Sequence, residues 1–169
     1  NNADNLVGTT AADYLLGLGG NDMVFGDAGN DVLDGGAGND ELFAGTGDDV
    51  FLFGRGDGTD VIYQSEAGPS DNDVIRFKAG ISPADIVLTR DGVSDNGGVR
   101  LTISNTGDSI GIFGQGSAGF TTYNVPSVEF ADGTVWAASL LRSVIAHFVA
   151  GPATYSLNGT NGADVLDGT

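Results

Sequence analysis

The chain has no cysteine, a single lysine, a single histidine and no long apolar run. Without cysteine there are no disulfides, so a secreted protein of this size would need another cross-link. Six basic residues against 23 acidic ones give a formal net charge of −17, which excludes the basic patch that nucleic acid or an anionic membrane requires. No stretch approaches the roughly 18 apolar residues of a membrane-spanning helix, and no signal peptide is visible.

Catalytic motifs are also missing. The sequence contains no G-x-S-x-G, H-E-x-x-H or P-loop pattern, and the lone His147 has no partner nucleophile. Two sets of neighbouring carboxylates are Asp71 with Asp73, and Asp91 with Asp95. Either set could act as a catalytic acid pair or bind an extra calcium ion, but turn formation is the simpler explanation for both. We therefore expect a protein that is not an enzyme.

What the chain does have is a nine-residue repeat that contains one acidic residue per period. Four consecutive blocks read GLGGNDMVF, GDAGNDVLD, GGAGNDELF and AGTGDDVFL over residues 17–52. The periodic aspartates are Asp4, Asp13, Asp22, Asp31, Asp40 and Asp49. An apolar residue follows each of them by two positions: Leu6, Leu15, Val24, Leu33, Leu42 and Phe51. Such regularity argues against a merely solvated or disordered acidic segment.

Each block predicts a turn followed by a short strand. The first six residues are rich in Gly and Asn, which tolerate turn conformations, and the last three can form a strand with its apolar side chain inward. Two blocks make one flattened coil, and coils stack at about 4.8 Å. Carboxylates and turn carbonyls from neighbouring coils then converge, and oxygen ligands of this kind favour Ca²⁺.

The expected metal ligands are the aspartates and the carbonyl oxygens of the turns. The carboxylates are Asp4, Asp13, Asp22, Asp31, Asp40, Asp49 and Asp60. The carbonyls are those of Gly17, Gly19, Gly26, Ala28, Gly35 and Ala37. After Leu52 the aspartate position holds Gly58, and the flanking Asp57 and Asp60 are expected to supply the missing oxygen.

These repeats resemble the RTX (haemolysin-type) calcium-binding family, whose pattern is G-G-x-G-x-D-x-(apolar)-x. The match is strong over residues 17–52 and weaker at 8–13, where Ala11 replaces a glycine. The resemblance implies a bacterial protein that leaves the cell by type I secretion and acts outside it. It also implies repeats that stay unfolded at low calcium and fold when calcium neutralises the aspartates.

The segment that follows resembles the haemolysin-type calcium-binding related domain. The likeness spans about residues 53–141 and lies in FGRGDGTDVI, DVIRFKAGISPADIVLTRDG, GDSIGIFG and VEFADGTVW. It implies a cap that covers the open end of the coil. Strands are predicted at residues 60–64, 73–77, 86–90, 99–104, 108–113 and 127–130, a helical turn at 81–86, and an amphipathic helix at 137–149.

We therefore predict a mainly all-β fold, a parallel β-roll (β-helix) of nonapeptide repeats followed by a mixed, mostly β cap with one C-terminal helix. The predicted domains are a calcium-binding roll at 1–60, the related capping domain at 61–152, and the start of a further repeat block at 153–169. The last block rests on the alignment of NGADVLDGT, residues 161–169, with NNADNLVGT, residues 1–9. We expect it to belong to a longer chain with RTX blocks on both sides.

The predicted function is a non-catalytic, calcium-induced folding module of a secreted or cell-surface RTX exoprotein or adhesin. Its expected partners are several calcium ions and neighbouring RTX modules, with no nucleic acid and no membrane insertion. The alternative is a calcium-dependent carbohydrate-binding module attached to a secreted polysaccharide-active enzyme. In that case Trp136, Tyr63 and Tyr123 could stack on a sugar, whereas core packing is the simpler role for Trp136.

Overall fold

The fold is a two-sheet roll that continues into a mostly β second half. The structure, a computed structural model, describes residues 2–64, 72–91, 98–114, 125–148 and 154–156. Of the predicted repeat start at 153–169, the structure describes only residues 154–156, and Asp71, Asp95 and Tyr123 also lie outside the described residues. In the described ranges, no helix has the length and apolar character needed to cross a bilayer.

The first eight strands alternate between the two sheets. They are β1 Asn5–Val7, β2 Tyr14–Leu16, β3 Met23–Ala28, β4 Val32–Asp34, β5 Glu41–Thr46, β6 Val50–Phe53, β7 Thr59–Gln64 and β8 Val74–Phe77. The odd-numbered strands pair in parallel in one sheet, and the even-numbered strands do so in the other. Each pair of strands with its two turns therefore forms one coil, as the repeat predicts.

The repeat determines which side chains face inward because successive strand residues point to opposite faces. Val24, Leu42 and Ile62 are fully buried and meet the equally buried apolar residues of the other sheet, Leu33, Phe51 and Ile75. Both sheets thus share one continuous core. Burying each of these side chains stabilises the fold by roughly 1.5–3 kcal/mol.

The second half extends both sheets. Its elements are a 3-10 turn at Pro83–Asp85, β9 Ile86–Asp91, β10 Gly98–Ile103, β11 Ser109–Gly114, β12 Ser127–Glu129, β13 Val135–Trp136, α1 Ala138–Phe148 and β14 Thr154–Ser156. β11 pairs in parallel with β7, and β12 pairs in parallel with β8. β9 and β10, which match the strands predicted at 86–90 and 99–104, form an antiparallel pair, and β10 lies beside β11. The open end of the roll is therefore covered by continued strand pairing, which satisfies the edge groups directly.

The predicted fold class is confirmed, including the one α-helix in the described part of the chain. Leu141 and Val144 on α1 are buried in the common core, and Leu140 packs against it. Trp136 is buried beside Phe130, with ring centroids 4.9 Å apart. Trp136 therefore packs in the core, which was the simpler of the two roles considered from the sequence.

Candidate metal centre

Two rows of aspartates run along the two turn sides of the roll. The first row consists of Asp4, Asp22, Asp40 and Asp60, and the second row of Asp13, Asp31, Asp49 and Asp73. Within each row, the backbone N–H of one aspartate donates to Oδ1 of the next, with N···O distances between 2.7 and 3.1 Å. Each carboxylate therefore links two neighbouring coils through one of its oxygens.

The other oxygen of these carboxylates is the decisive feature. Oδ2 is buried and has no hydrogen-bond partner in Asp22, Asp31, Asp40 and Asp60. An unpaired buried carboxylate oxygen costs free energy, and buried charges in proteins are normally paired or bound to a metal. Repetition of the same orphaned atom from coil to coil marks a row of positions for cations.

Beside these oxygens lies a small space, the cradle, which is open only because a glycine there has no side chain. A Cβ added at Gly17 would collide with Oδ2 of Asp22 and with the carbonyl oxygen of Gly35. At Gly26 an added Cβ would collide with Oδ2 of Asp31, 2.5 Å away, and with the carbonyl oxygen of Ala44. Carboxylate and carbonyl oxygens thus converge where glycine leaves room.

Two carboxyl groups of the first row, those of Asp40 and Asp60, have raised pKa values, which shows that negative charge is unfavourable there. Burial raises the pKa of Asp60 to about 8, and the neighbouring Asp40 and Asp57 add to the effect, although the N–H of Asp40 opposes it. Burial likewise raises the pKa of Asp40 above its ordinary value, with added repulsion from Asp22. The row therefore needs positive charge, whether from protons or from metal ions.

This donor set fits calcium. All the converging atoms are oxygens, and Ca²⁺ accepts roughly 6–8 oxygen ligands in irregular geometry. In the described ranges, no three Asp, Glu, His or Cys side chains gather around one point, so backbone carbonyls must supply much of each shell. When bound, calcium would cross-link neighbouring coils and neutralise their carboxylates.

Comparison with known families gives two matches along the chain. Residues 1–33 and 25–60 match the RTX calcium-binding nonapeptide repeat in four copies. Residues 99–139 match the haemolysin-type calcium binding protein related domain. Residues 1–60 are RTX calcium-binding repeats. The predicted family and the predicted calcium cofactor are thereby confirmed, since RTX repeats bind calcium ions.

The solved structures to which the chain is similar include two subunits of the Azotobacter vinelandii mannuronan C5-epimerase. The AlgE6R3 subunit is 32% identical, with 65% of this chain and 70% of that chain covered and a TM-score of 0.48. The AlgE6R2 subunit is 25% identical, with 65% and 84% covered and a TM-score of 0.39. No curated protein sequence matches the chain.

The RTX turns place the sequence-predicted carbonyl ligands in two different settings. Gly26 and Gly35 stand at the first position of their nonapeptides, and their carbonyl oxygens face the cradles of the preceding coil. The third-position residues lie in backbone pairing between coils: Gly19 bridges to Ala37, and Ala28 pairs with Thr46. The carbonyl of Gly17 already accepts the N–H of Gly19 at 2.9 Å.

The first two RTX aspartates differ from the rest. Asp4 is exposed, and Asp13 is half-buried. Oδ2 of Asp13 accepts the N–H of Thr9 at 2.6 Å and its hydroxyl at 2.9 Å. The weaker sequence match at residues 8–13 therefore corresponds to a carboxylate that already has internal donors.

Beyond Leu52 the rows continue through residues at altered spacing. Asp60 follows Asp40 by 20 positions and Asp73 follows Asp49 by 24, although the other steps are 18. Asp60 was among the predicted ligands, whereas Asp73 was interpreted as a turn residue. A usable signal existed, because each stands two positions before a fully buried isoleucine, Ile62 and Ile75.

Asp73 and Asp57 have protein partners for their carboxylates. Oδ2 of Asp73 accepts the side-chain amide of Gln64 at 3.0 Å. Oδ2 of Asp57 accepts the N–H of Gly54 at 2.7 Å and the ammonium of Lys78 at 2.9 Å. Of the two aspartates that flank Gly58, Asp60 therefore belongs to the row and Asp57 is held by a lysine.

A second, exposed ladder accompanies the rows and was missed in the sequence. Oδ1 of Asn21 accepts the N–H of Asn39 at 3.0 Å, and Oδ1 of Asn39 accepts the N–H of Thr59 at 3.1 Å. On the other side, Asn30 and Asp48 act in the same way, each towards the next coil. The Asn-Asp dipeptide in three consecutive repeats was the available signal.

Proposed function

We propose that this chain is a non-catalytic module of a secreted or cell-surface protein, folded by calcium. The single observation that supports it most is the buried and unpaired Oδ2 that recurs in Asp22, Asp31, Asp40 and Asp60. In the described part of the chain, every buried carboxylate belongs to a row or, in the case of Asp57, to the contact with Lys78. These carboxylates thus have structural roles, which favours a structural module over an enzyme.

Each ion would lie between the same turns of two neighbouring coils. In the first row, the ligands nearest the cradle of Gly17 are the carboxylate of Asp22 and the carbonyl of Gly35. In the second row, the equivalent atoms come from Asp31 and Ala44. Asp40 and Asp60 continue the first row, and Asp49 continues the second. The carboxylates of Asp4 and Asp13 lie at the first coil, where the rows begin.

Calcium would act through coupled folding and binding. Unfolded repeats have no preformed site, so the binding free energy contributes to folding. At 100 times Kd each independent site stabilises the folded state by about 2.7 kcal/mol, and a few sites decide the equilibrium. At low calcium the repulsion within each row leaves the repeats unfolded, which suits export. Outside the cell, millimolar calcium folds them.

The first coil supports a role beside neighbouring RTX modules. β1 and β2 are the edge strands of their sheets, and the inward-facing Leu6 and Leu15 are only partly buried there. Val7, Tyr14, Leu16 and Leu18 form the main group of exposed large apolar side chains. A further coil of nonapeptides would cover these residues and continue both rows.

The test is a calcium titration of the whole chain followed by circular dichroism. We expect β signal to appear with calcium and to vanish with EDTA. Asp31→Asn keeps the Oδ1 acceptor but replaces the unpaired oxygen with an amide, so the transition should move to higher calcium. Asp48→Asn removes the same charge from an exposed site where asparagine stands in other repeats, and should leave it unchanged. A spectrum that is the same in calcium and EDTA would refute the proposal.

A further inference from the structure

The turn from Gly54 to Gly58 is held differently from the other turns of the roll. This turn lies on the same side of the roll as the first row, between Asp40 and Asp60. These two aspartates are 20 residues apart, whereas the earlier members of the row are 18 apart. Its Asp57 is only 7% exposed, yet it does not continue a row. Instead, charged side chains from later in the chain contact this turn, beginning with Lys78, which follows the last strand of the roll.

Lys78 connects three neighbouring strands of one sheet. It follows β8 directly, and its Nζ lies 2.8 Å from Oδ1 of Asp34 at the end of β4 and 2.9 Å from Oδ2 of Asp57 after β6. Its aliphatic stem passes over Gly54, where an added Cβ would lie 2.7 Å from Cδ of the lysine. Glycine at position 54 therefore leaves the path by which the ammonium reaches back to β4.

The ammonium is well matched to its surroundings. Burial opposes the charge of Lys78, but hydrogen bonds to Asp34 and Asp57 outweigh burial and raise the pKa of Lys78 above its usual value. The lysine therefore stays charged throughout the neutral range. Asp34 and Asp57 also repel the carboxylate of Asp40, so the ammonium neutralises the two carboxylates that surround the end of the first row.

Two further contacts hold the same turn to the second half. Oδ2 of Asp108 accepts the N–H of Gly56 at 2.8 Å, and Oδ1 accepts that of Gly58 at 3.1 Å. The guanidinium of Arg55 lies 3.5 Å from Asp85. The turn is thus held by protein charges on several sides.

We infer that Lys78 is a built-in cation that replaces calcium at this turn. It neutralises Asp34 and Asp57 and joins the end of β8, from which the second half of the chain continues, to β4 and to the turn after β6. The calcium-dependent part of the structure then ends against a junction that needs no ion of its own. This inference rests on the proposed calcium-induced folding, because the role of Lys78 is defined relative to the calcium sites.

The experiment compares Lys78→Met with Arg76→Met. Arg76 lies two residues earlier on β8 and pairs with Glu129 at 2.9 Å in a more exposed setting, so the control removes the same charge from the same strand. We expect Lys78→Met to raise the calcium concentration at the folding midpoint by roughly threefold or more. Isothermal titration calorimetry could show instead one additional bound ion in the place of the ammonium, and this outcome also supports the inference. Equal behaviour of the two variants in both measurements would overturn it.

A second variant separates charge from packing. In the triple variant Asp34→Asn, Asp57→Asn and Lys78→Met, no charge is left to neutralise, so the midpoint should return to that of the natural chain. If the triple variant behaves like Lys78→Met alone, the lysine stem provides only packing and the inference is wrong. The comparison holds even where Lys78→Met alone fails to fold.

Failure of the proposed function has a different signature. It appears as a natural chain whose spectrum ignores calcium, whatever residue occupies position 78. In that case thermal unfolding in EDTA tests the junction by itself. Lys78→Met should lower Tm more than Arg76→Met does, and equal losses would overturn the role of Lys78.

Discussion

The backbone N–H of Asp22 donates to Oδ1 of Asp40, 18 residues later, at 2.7 Å, while Oδ2 of both carboxylates is buried without a hydrogen-bond partner. One oxygen of each carboxylate thus maintains the stacking of coils, and the other is left for a cation. The same division recurs at Asp31. Structure and ion binding therefore depend on the same side chains, which is why calcium and folding are expected to be coupled.

Replacing Gly26 with alanine should weaken calcium binding at one site. Gly26 does not have a positive φ, so the backbone accepts alanine, but the new Cβ would meet Oδ2 of Asp31 and the carbonyl of Ala44. We expect calorimetry to show the loss of one ion and the folding midpoint to move to higher calcium. Gly133→Ala is the control for general destabilisation: its φ of 88° strains alanine, but the space around it is open, so the ion count should stay unchanged. An unaltered count in Gly26→Ala would contradict the ligand assignment.

Replacing Leu18 with glycine should stabilise the roll. Leu18 has φ of 70° and is 77% exposed, so it adopts a left-handed conformation without packing in return. The strain of about 1–2 kcal/mol exceeds the entropic cost of glycine, roughly 0.5–1 kcal/mol. We expect urea unfolding in saturating calcium to give a gain of about 0.5–1 kcal/mol. Leu16→Gly, in β2, should destabilise, and a loss in Leu18→Gly as well would show that the strain is absent.

Acid should partly replace calcium. The pKa of Asp60 in the fold is raised to about 8 from an ordinary value of 3.8, and that of Asp40 is raised as well. These two carboxyls then hold protons more tightly in the folded chain than in the unfolded chain, so the stability that they contribute is present at low pH and is lost as the pH rises towards about 8. In EDTA, circular dichroism should show more folded chain near pH 5 than near pH 8.

Asp60→Asn mimics the protonated carboxyl and should flatten this pH dependence. The matched control is Asp48→Asn, because Asp48 is exposed and outside the rows; its pH profile should follow that of the natural chain. A folded fraction that rises with pH in EDTA would contradict the prediction.

The contact between Asp108 and the turn at Gly56 should contribute to stability in calcium. Burial works against the Asp108 charge, but the N–H groups of Gly56 and Gly58 and the hydroxyl of Thr106 lower its pKa. Asp108→Ala should lower the free energy of unfolding by about 1–2 kcal/mol, since two donors lose their acceptor. Asp132→Ala removes an exposed carboxylate from a local turn and should cost less. Equal losses in the two variants would show that Asp108 acts only within its own loop.

Much of the roll could be predicted because each nonapeptide contains the residues that determine its own turn and strand. The aspartate, the apolar residue two positions later and the turn glycines recur in every block, so the spacing of Asp22, Asp31 and Asp40 implies stacked coils. The nine-residue spacing by itself does not predict the contributions of Asp73 and Ala44. Asp73 lies after an altered spacing, and the carbonyl of Ala44 belongs to the backbone, which no residue type reveals.

The sequence by itself determined the coil, its inward apolar positions and the presence of carboxylates at every turn, because these follow from local periodicity. Only the tertiary structure decided which aspartates join the rows and which are neutralised by the protein. Asp57 and Asp60 stand three positions apart on either side of Gly58, and the nine-residue spacing alone does not choose between them. Strand pairing places Asp60 under Asp40 and brings Lys78 to Asp57, and such pairing depends on residues distant in the chain.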